Sequence, residues 1–422
     1  MEETYPRDWK EYKFGDIFDF SGSLSISRAN LSDEGICYLH YGDIHKSSNS
    51  FIDVSKVYDE IPKYNISLEQ VDSKYLLKDG DIVFADASED YEGIAKSITV
   101  VNKDNKPFIS GLHTIVARDK NSTIDNSYKR YFLKDWNIRK QLMTLATGTS
   151  VLGISQPNLK KIKVFLPAIE EQNKIGEILS EWDKAIELKE KLIKQKKEQK
   201  KGLMQRLLSG KIRLPNFSGQ WEKMHLEDIC IEKGLVRGPF GGALKKEHFV
   251  KQGYKVYEQK NAIYKDINLG DYYIDENKFL ELKRFEVNQG DFIVSCSGTI
   301  GRIYRIPNDS PNGVINQALL KIRINDKLID SEYFYQYFQW ESFQNRIIEN
   351  TQGGAMRNLV GMEIFRKTLL SIPPLIEQKK VAEVLYCIDN EIKLLEQELL
   401  LTKEQKKVIM QQLLTGKIRV KV

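Results

Sequence analysis

The chain has 422 residues, of which 41% are apolar and 29% charged, an ordinary globular composition that excludes a disordered or fibrous protein. The net charge of +5 is too small to predict an acidic partner by itself, and no run of 18 apolar residues predicts a membrane span. The charged segment 1–12 does not fit a signal peptide, and four cysteines without a Cys-x-x-Cys pair predict reduced thiols in a cytoplasmic protein.

Short strand-like segments separated by turns make up most of residues 1–166. Residues 80–85 (GDIVFA) have the pattern of a buried strand that follows a turn. Apolar and aromatic residues at helical spacing over 128–145 predict a helical stretch near the end of this region. Together they predict an α+β domain of about 150 residues.

A long helix is predicted next, over residues 171–208. This segment contains no proline, and its apolar residues recur at alternating steps of four and three, as in a coiled-coil seam. Gly210 stands at the C′ position, where a positive φ ends many helices. The seam residues include Ile175, Leu179, Trp182 and Ile186. Lysines also fall on seam positions and predict a weaker seam centre: Lys189, Lys196 and Lys200.

The second part of the chain repeats the first. Residues 290–295 resemble 80–85, residues 319–324 alternate like a half-exposed strand, and residues 331–349 have helical spacing. Residues 373–419 then match 167–213 without a gap at an offset of 206, and 23 of the 47 positions are identical. Chance would give about three identities at typical residue frequencies, so one element is used twice. The second seam contains Val381, Leu385, Ile388 and Ile392 and precedes Gly416.

These elements predict the fold class α+β, with two related domains separated by two long antiparallel α-helices in a pseudo-twofold repeat. The predicted boundaries are 1–166 and 214–372 for the domains, and 167–213 and 373–422 for the helices. Two apolar seams must be buried, and packing them on each other is the simplest solution. The alternative, in which each helix packs only on its own domain, stays open.

Catalytic signatures are absent from the sequence. There is no GxxxxGK[ST] phosphate loop, no GxSxG elbow and no HExxH motif, and the five histidines never pair at the i, i+4 spacing of a helical metal site. The Asn-Pro-Pro-aromatic loop by which amino-methyltransferases hold a flipped base is also absent. The chain is therefore predicted to have no catalytic residues, no metal ligands and no cofactor of its own.

Polar loops carry the residues that could read DNA, because hydroxyl, amide and basic side chains contact base edges and phosphates. In the second part the candidates are Arg237, Lys245, Lys260, Asn261, Ser297, Thr299, Arg302, Asn316, Gln317 and Arg357. In the first part they are Arg28, Lys46, Ser88, Lys96, His113, Thr147 and Thr149. A polar turn alone is usually only a turn, so this prediction depends on the loops lying together.

One pattern opens both long helices. Leu-Pro-x-x-x-Glu-Gln-x-x-Ile at 166–175 returns as Ile-Pro-x-x-x-Glu-Gln-x-x-Val at 372–381, and both segments end in Leu-Leu-x-Gly-Lys-Ile-Arg. With Gly-Pro-Phe-Gly at 238–241 and Ser-Gly-Thr-Ile-Gly at 297–301, the whole chain resembles the specificity (S) subunit of Type I restriction–modification enzymes. The first part departs from this pattern, since residues 87–96 contain no compact counterpart of Ser-Gly-Thr-Ile-Gly.

The resemblance implies two target-recognition domains, each reading one half of a bipartite site in double-stranded DNA. The helices, with the seam residues named above, would set the spacing and bind two methyltransferase (modification) subunits, which in turn carry the restriction motor-nuclease subunits. S-adenosylmethionine, ATP and Mg are then expected on those partners and not on this chain. Two alternatives stay open: the specificity subunit of a Type IIB-like restriction system, and a coiled-coil scaffold that spaces two modules without affinity for DNA.

Overall fold

The computed structural model describes residues 5–47, 49–148, 151–350 and 357–422. It confirms the predicted fold class, with two related α+β domains and two long antiparallel helices. The helices are α1 (Phe14–Ile17), α2 (Tyr41–Lys46), α3 (Val54–Val57), α4 (Asn126–Lys129), α5 (Trp136–Thr144), α6 (Gln156–Leu159), α7 (Ile169–Leu207), α8 (Gln259–Tyr264), α9 (Glu276–Glu281), α10 (Ser331–Gln339), α11 (Glu341–Ile347), α12 (Met362–Arg366) and α13 (Leu375–Leu414). None of these described helices has the length and apolar character that a membrane crossing requires.

The strands are short. They are β1 (Lys10–Lys13), β2 (Phe18–Ser21), β3 (Ile36–Leu39), β4 (Phe51–Asp53), β5 (Lys63–Tyr64), β6 (Ile82–Ala85), β7 (Ala87–Ser88), β8 (Ser97–Val101), β9 (Phe108–Ser110), β10 (Thr114–Asp119), β11 (Leu152–Gly153), β12 (Lys163–Leu166), β13 (Glu222–His225), β14 (Cys230–Arg237), β15 (Phe249–Val250), β16 (Tyr254–Tyr257), β17 (Tyr273–Ile274), β18 (Glu286–Val287), β19 (Phe292–Ser295), β20 (Ile303–Arg305), β21 (Gly313–Ile315), β22 (Leu319–Ile324), β23 (Ile348–Asn350), β24 (Arg357–Leu359) and β25 (Leu369–Ile372).

The chain forms two compact units. The first comprises residues up to Glu190 together with 397–422, and the second comprises 191–396. Each unit therefore contains one α+β domain, one part of α7 and one part of α13. The unit boundaries cut the two helices at corresponding positions of the repeat, because Glu396 lies 206 residues after Glu190. The domain boundaries predicted from the sequence stay predictions.

The domain of the first unit is built on a five-stranded sheet in the order β2-β10-β6-β8-β4. Its central strand β6 is the segment predicted at 80–85, and all four of its residues are buried, as expected for a strand covered on both faces. A second sheet has the order β5-β3-β9, with β3 and β9 parallel. The antiparallel pair β1–β12 joins the start of the domain to the strand before α7.

The domain of the second unit repeats this plan. The order β14-β22-β19-β20 corresponds to β2-β10-β6-β8, and the parallel pair β16–β21 corresponds to β3–β9. The pair β13–β25 takes the place of β1–β12 before the second long helix. The two domains differ at their edges, since β4 adds a strand in the first and β15 and β18 add strands in the second.

A buried ion pair occupies the same place in both domains. Arg118 donates to Asp81 from Nε at 2.9 Å and from Nη2 at 2.6 Å, and Arg323 donates to Asp291 at 2.6 and 2.7 Å. Both carboxylates are almost fully buried. Each pair ties the turn before a central strand to the neighbouring strand, which confirms the predicted relation between residues 80–85 and 290–295.

In the first unit, the initial part of α7 and the final part of α13 run antiparallel. Ion pairs join Asp183 to Lys406 and Glu190 to Lys403, the second at 2.6 Å, so residue numbers rise along one helix as they fall along the other. Apolar residues of both helices lie in one core with the α+β domain: Ile175, Leu179, Leu413 and Leu414. The helices thus pack on each other and also on the domain, which combines the two predicted alternatives.

The second unit contains the corresponding antiparallel pair. Lys200 lies 2.7 Å from Asp389, and Lys197 lies 2.7 Å from Glu396. Each pair has a counterpart 206 residues away in the first unit. Lys200–Asp389 corresponds to Lys406–Asp183, and Lys197–Glu396 corresponds to Lys403–Glu190. The helix residues of the core are Met204, Leu207, Leu208, Val381, Ala382 and Leu385. Gly210 and Gly416 have φ values of 71° and 69°, as predicted for C′ glycines.

The lysines on seam positions have partners on the other helix, and the predicted weakness of the seam centre stays a prediction. Lys189 pairs with Glu398 at 2.8 Å in the first unit, and Lys196 pairs with Glu391 at 2.6 Å in the second. Lys200 is paired as described above. Each lysine therefore replaces an apolar contact by an ion pair with the antiparallel helix. The sequence of one helix cannot show this, because the carboxylates come from the other.

The Glu-Gln pair of the shared pattern has a structural explanation. In the second unit Gln378 is buried; its Oε1 accepts the Asp330 N–H at 2.8 Å, and its Nε2 donates to the carbonyls of Pro373 and Leu328 at 2.9 and 3.0 Å. Gln172 makes the matching bonds in the first unit: it accepts from Asp125 N–H and donates to the carbonyls of Pro167 and Thr123. Each glutamine thus fixes the start of a long helix to its own domain.

The neighbouring glutamates bind the arginines that end the repeat. Arg213 donates to both carboxylate oxygens of Glu377 at 2.5 Å, and Arg419 donates to those of Glu171 at 2.7 and 2.8 Å. Arg419 also contacts Asp8. Both glutamates are buried, and the carboxylates raise the pKa of both arginines above the usual range. The start of each helix is thereby closed by the end of the other.

Two sequence predictions need correction. The helical stretches predicted at 128–145 and 331–349 are each interrupted: α4 and α5 form the first, and α10 and α11 the second. Strand β22 was predicted to be half exposed, but Lys321 at its centre is buried. Its ammonium donates to the carbonyls of Glu286 and Arg284 at 2.6 and 3.1 Å, which allows a basic residue to occupy an interior position.

Replacing Gln378 by leucine should destabilise the second unit by about 2–3 kcal/mol, because a buried N–H and two carbonyls lose their partner. The free energy of unfolding in urea measures this loss. Lys379→Leu is the matched control, since Lys379 is exposed beside Gln378 on the same helix and in the same unit, and we expect it to change stability by less than about 0.5 kcal/mol. Equal effects of both substitutions would contradict the assigned role.

The stability of the second unit should rise with pH through Lys321. Burial lowers the pKa of Lys321 to about 8, below the value of about 10.4 expected in the unfolded chain. Between these values the unfolded chain binds more protons, so wild type should gain up to about 2 kcal/mol over Lys321→Met from pH 8 to 9.5. Calorimetric unfolding across this range checks the sign, and the exposed Lys327→Met control should follow wild type.

Candidate nucleic-acid interface

A cleft of about 900 Å³ opens in the first unit. Helix α2, the segment from β7 to the start of β8, and the region from α4 to α5 line it. Four residues predicted from the sequence line this cleft together: Lys46, Ser88, Lys96 and His113. The condition on which the prediction depended, that these loops lie together, is therefore met for four of the seven residues in this half.

Hydrogen bonds fix the wall of the cleft. The Lys96 ammonium donates to the carbonyl of His45 at 2.7 Å, and Nε2 of His45 lies 2.8 Å from the carbonyl of Ala87. His113 has a positive φ of 55°, and its Nδ1 lies 3.2 Å from Oδ1 of Asp86. Lys96 and His113 thus reach the cleft from defined positions and not as freely rotating side chains.

The other predicted residues of the first unit contribute less directly. Arg28 is about half exposed and pairs with Asp43 at 2.9 Å. Ser88 lines the cleft but is mostly buried, because β7 pairs with β11. Thr147 is exposed beside that pair, where it bridges to the second residue of β11. Thr149 lies outside the described residues.

In the second unit, three chain segments converge where β14, β19 and β22 meet. The Gly238 N–H donates to the Leu319 carbonyl at 2.9 Å, and the Cys296 N–H donates to the Ala318 carbonyl at 2.8 Å. A Cβ at Gly238 would lie 1.9 Å from the carbonyl oxygen of Asn316, so only glycine permits this approach. The predicted polar loops are therefore in contact.

The side chains around these turns can contact a ligand from solvent. Four of the predicted residues are exposed: Ser297, Thr299, Arg302 and Gln317. Ser295 closes their turn, since its hydroxyl accepts the Arg302 N–H at 3.0 Å and donates to the Thr299 carbonyl at 2.5 Å. Arg237 is half buried, and its Nε has no hydrogen-bond partner within the described chain. Asn316 uses its Oδ1 to accept the Ala318 N–H.

Asn261 does not fit its predicted role. It is fully buried; its Oδ1 accepts the Glu258 N–H at 2.8 Å, and its Nδ2 donates to the carbonyls of Asp266 and Leu269 at 2.8 and 2.7 Å. All of these hydrogen bonds stabilise the loop around α8. The side chain is therefore not available to DNA, which the sequence could not show because a buried and an exposed asparagine look alike there.

The remaining predicted residues of the second unit form ion pairs with neighbouring glutamates or lie outside the described residues. Lys260 lies 3.0 Å from Glu258, and Lys245 lies 3.7 Å from Glu247. The side chain of Arg357 is outside the described part of the chain. The Lys245–Glu247 pair is exposed and weak, because water screens it, so Lys245 can exchange its partner for a phosphate. Glu258 is mostly buried, which makes Lys260 less available.

Sequence reasoning missed Phe240 in the second unit. Its side chain is 75% exposed, at the tip of a segment held by the buried Gly238 and Pro239. An exposed aromatic ring beside arginine and amide groups can stack on a base or enter a base step. The signal was present, since an aromatic residue between glycines and a proline in a polar loop has no apolar neighbours to pack on.

The two candidate sites occupy the same position in their domains. The bond from the Asp86 N–H to the His113 carbonyl, at 3.1 Å, corresponds to the bond from Cys296 to Ala318. His113 therefore corresponds to Ala318. The strands and this bond are shared, although the segment that follows the central strand is longer in the first domain. The first site presents lysine and histidine where the second presents glutamine, threonine and arginine.

The seam residues predicted to bind partners are mostly interior. Five are buried: Ile175, Leu179, Val381, Leu385 and Ile392. Three are half buried: Trp182, Ile186 and Ile388. They stabilise the helices within this chain, so a docked protein would contact other side chains. Exposed apolar residues of the helices include Leu188, Tyr386, Leu394 and Leu401.

Comparison with known proteins gives concordant results. A family model described as the Type I restriction modification DNA specificity domain matches residues 6–198 and 218–402. The putative type I restriction enzyme MjaX specificity subunit of Methanocaldococcus jannaschii is 28% identical over 433 residues, covering 99% of this chain and 95% of that protein. The MjaVIII specificity subunit of the same organism is 26% identical over 326 residues, covering 73% of each.

Solved structures show the same fold. The S subunit of a Type I restriction–modification system from M. genitalium is 15% identical, covers 96% of each chain and has a TM-score of 0.51. A chain from a study of the complex assembly and conformational transition of the type I R-M system is also 15% identical, covers 98% and 100%, and has a TM-score of 0.59. Since the family model covers most of both domains, the chain belongs to the family of Type I restriction–modification DNA specificity subunits.

Proposed function

We propose that this chain is the non-catalytic, sequence-reading subunit of a Type I restriction–modification complex, and that each of its two target-recognition domains reads one half of a bipartite site in double-stranded DNA. One observation carries the proposal: two related domains bear chemically different side chains on the same backbone framework. A duplicated scaffold with divergent surface chemistry is what reading two unlike half-sites requires.

The reactions belong, in this proposal, to the partner proteins. Two modification subunits dock on the helices and bind S-adenosylmethionine, and the motor-nuclease subunits join through them with ATP and Mg. We expect the complex to act in the cytoplasm, on DNA. Membership of the specificity-subunit family argues against one alternative left open by the sequence, a coiled-coil scaffold that spaces two modules without affinity for DNA. The neighbouring genes distinguish a Type IIB-like system, in which the methyltransferase and nuclease are fused.

Base-reading and phosphate-binding residues should be separable by mutation in the second unit. Arg302→Ala or Gln317→Ala should cost about 1–3 kcal/mol of binding and relax one base position if the side chain reads a base, or weaken all sequences alike if it binds a phosphate. Genome-wide methylation mapping, with the modification subunits co-expressed, distinguishes these outcomes. Arg305→Ala is the matched control, because Arg305 lies beyond this turn and pairs with Glu332. Unchanged maps and affinities for both variants would refute the assigned site.

The helices should determine the length of the unread spacer. Four residues inserted after Glu190 and after Glu396, at corresponding positions, add about 6 Å to each helix and should lengthen the spacer by about two base pairs while both half-sites stay the same. Methylation mapping measures the spacer directly. The same insertion in the exposed loop at Asp309 is the control. An unchanged spacer in the helix variant, with methylation retained, would show that the helices do not set it.

A further inference from the structure

Three cations on the wall of the first-unit cleft have no carboxylate partner among the described residues. Lys96, Lys134 and Arg139 all line this cleft. Arg139 donates to the carbonyls of Ile94 and Glu92, each at 3.0 Å, and the Lys96 ammonium donates to one carbonyl. The ammonium of Lys134 has no hydrogen-bond or ion-pair partner within the part of the chain that the structure describes.

The electrostatics of this wall are unfavourable for the empty protein. Burial lowers the pKa of Lys134, and the positive charges of Arg139, Lys96 and Lys406 lower it further. Burial also lowers the pKa of Arg139 and that of Lys96, the latter opposed by Asp90. Three carboxylates, Glu89, Asp90 and Glu92, also line the cleft. The cations nevertheless lie close enough to lower the pKa of Lys134, and an anion that enters the cleft would relieve this repulsion.

Three buried lysines of the chain have acceptors within the protein itself, and a fourth, Lys63, lies over the ring of Tyr58. Lys129 pairs with Asp119 at 3.1 Å, Lys255 donates to the carbonyl of Gly270 at 3.0 Å, and Lys321 donates to two carbonyls. Lys134 differs from these three because its ammonium has no such acceptor among the described residues, whereas Lys129, which lines the same cleft, is paired. A purely structural lysine would be expected to resemble them, so the missing partner is expected from outside the chain.

We propose that Lys134, Arg139 and Lys96 form a phosphate-binding site on the wall of the first-unit cleft. A phosphate offers several acceptor oxygens and a negative charge, and the three side chains offer N–H donors and positive charge. The cleft of about 900 Å³ is larger than a phosphate alone, so the phosphate can belong to a nucleotide. The site rests on the proposed function in one respect: DNA is one source of the phosphate, and a free phosphate compound is the other.

The first experiment measures thermal unfolding of the full chain in sodium phosphate and in sodium chloride at equal ionic strength. In chloride, Lys134→Met should unfold about 2–4 °C above wild type, because one uncompensated charge is removed. Phosphate should raise the midpoint of wild type by more than that of the variant. Lys140→Met is the matched control, since Lys140 is exposed on the neighbouring helix α5, and it should behave as wild type. Lys96→Met is a second, independent variant, and phosphate should again raise its unfolding midpoint by less than that of wild type.

The second experiment identifies the source of the phosphate. Duplexes with the recognised site carry a single neutral methylphosphonate at each backbone position, and binding to the complex with its modification subunits is measured. If DNA supplies the phosphate, one position should weaken wild-type binding about tenfold and weaken the Lys134→Met complex no further. If phosphate protects the wild-type chain but no position shows this coupling, the ligand is a free phosphate compound.

The outcome that overturns the proposal is equal phosphate protection of wild type, Lys134→Met and Lys96→Met. That result differs from a failure of the proposed function, which would appear as absence of site-specific binding by the wild-type complex on unmodified duplex. The two failures can therefore be told apart in the same set of measurements.

Discussion

The contact between the arginine that ends one repeat and the glutamate that starts the other long helix is the constraint on which both units depend. Glu171 and Glu377 are buried, and a buried carboxylate without a cation would cost several kcal/mol. Arg419 and Arg213 supply that cation from segments distant in sequence. Each unit is therefore complete only when parts of both helices are present, which makes the helices part of the domains and not simple linkers.

The overall plan could be predicted from the sequence, because periodicity and repetition are local properties. The heptad spacing, the C′ glycines and the 206-residue offset identify both helices without knowledge of their partners. The contacts of Lys189 and Lys196 could not be predicted, since their carboxylates lie on the other helix. The burial of Asn261 and Lys321 could not be predicted for a related reason. A polar residue can lie in the interior when backbone groups from other turns accept and donate its hydrogen bonds.

The candidate sites show the same division between what is local and what is tertiary. The types of residue that read DNA could be named from the sequence, and four of those named in the first half do line one cleft. Lys134 and Arg139 were missed because they lie in a stretch that reads as an amphipathic helix, where a basic residue normally faces water. Only the fold shows that these cations line a concave surface instead.

The distribution of satisfied and unsatisfied cations separates the scaffold from the candidate sites. Arg118 and Arg323 hold the same turn in both domains through buried aspartates, and neither is free for a ligand. By contrast, Nε of Arg237 in the second unit and the ammonium of Lys134 in the first have no partner among the described residues. Unpaired buried donors reduce stability, and Nε of Arg237 is one of several buried polar atoms without a partner in the described chain, with those of Trp9, Trp221 and Tyr333 among the others. Arg237 and Lys134 differ from those three because they carry a positive charge at a candidate site, where an anionic ligand would supply the missing acceptor.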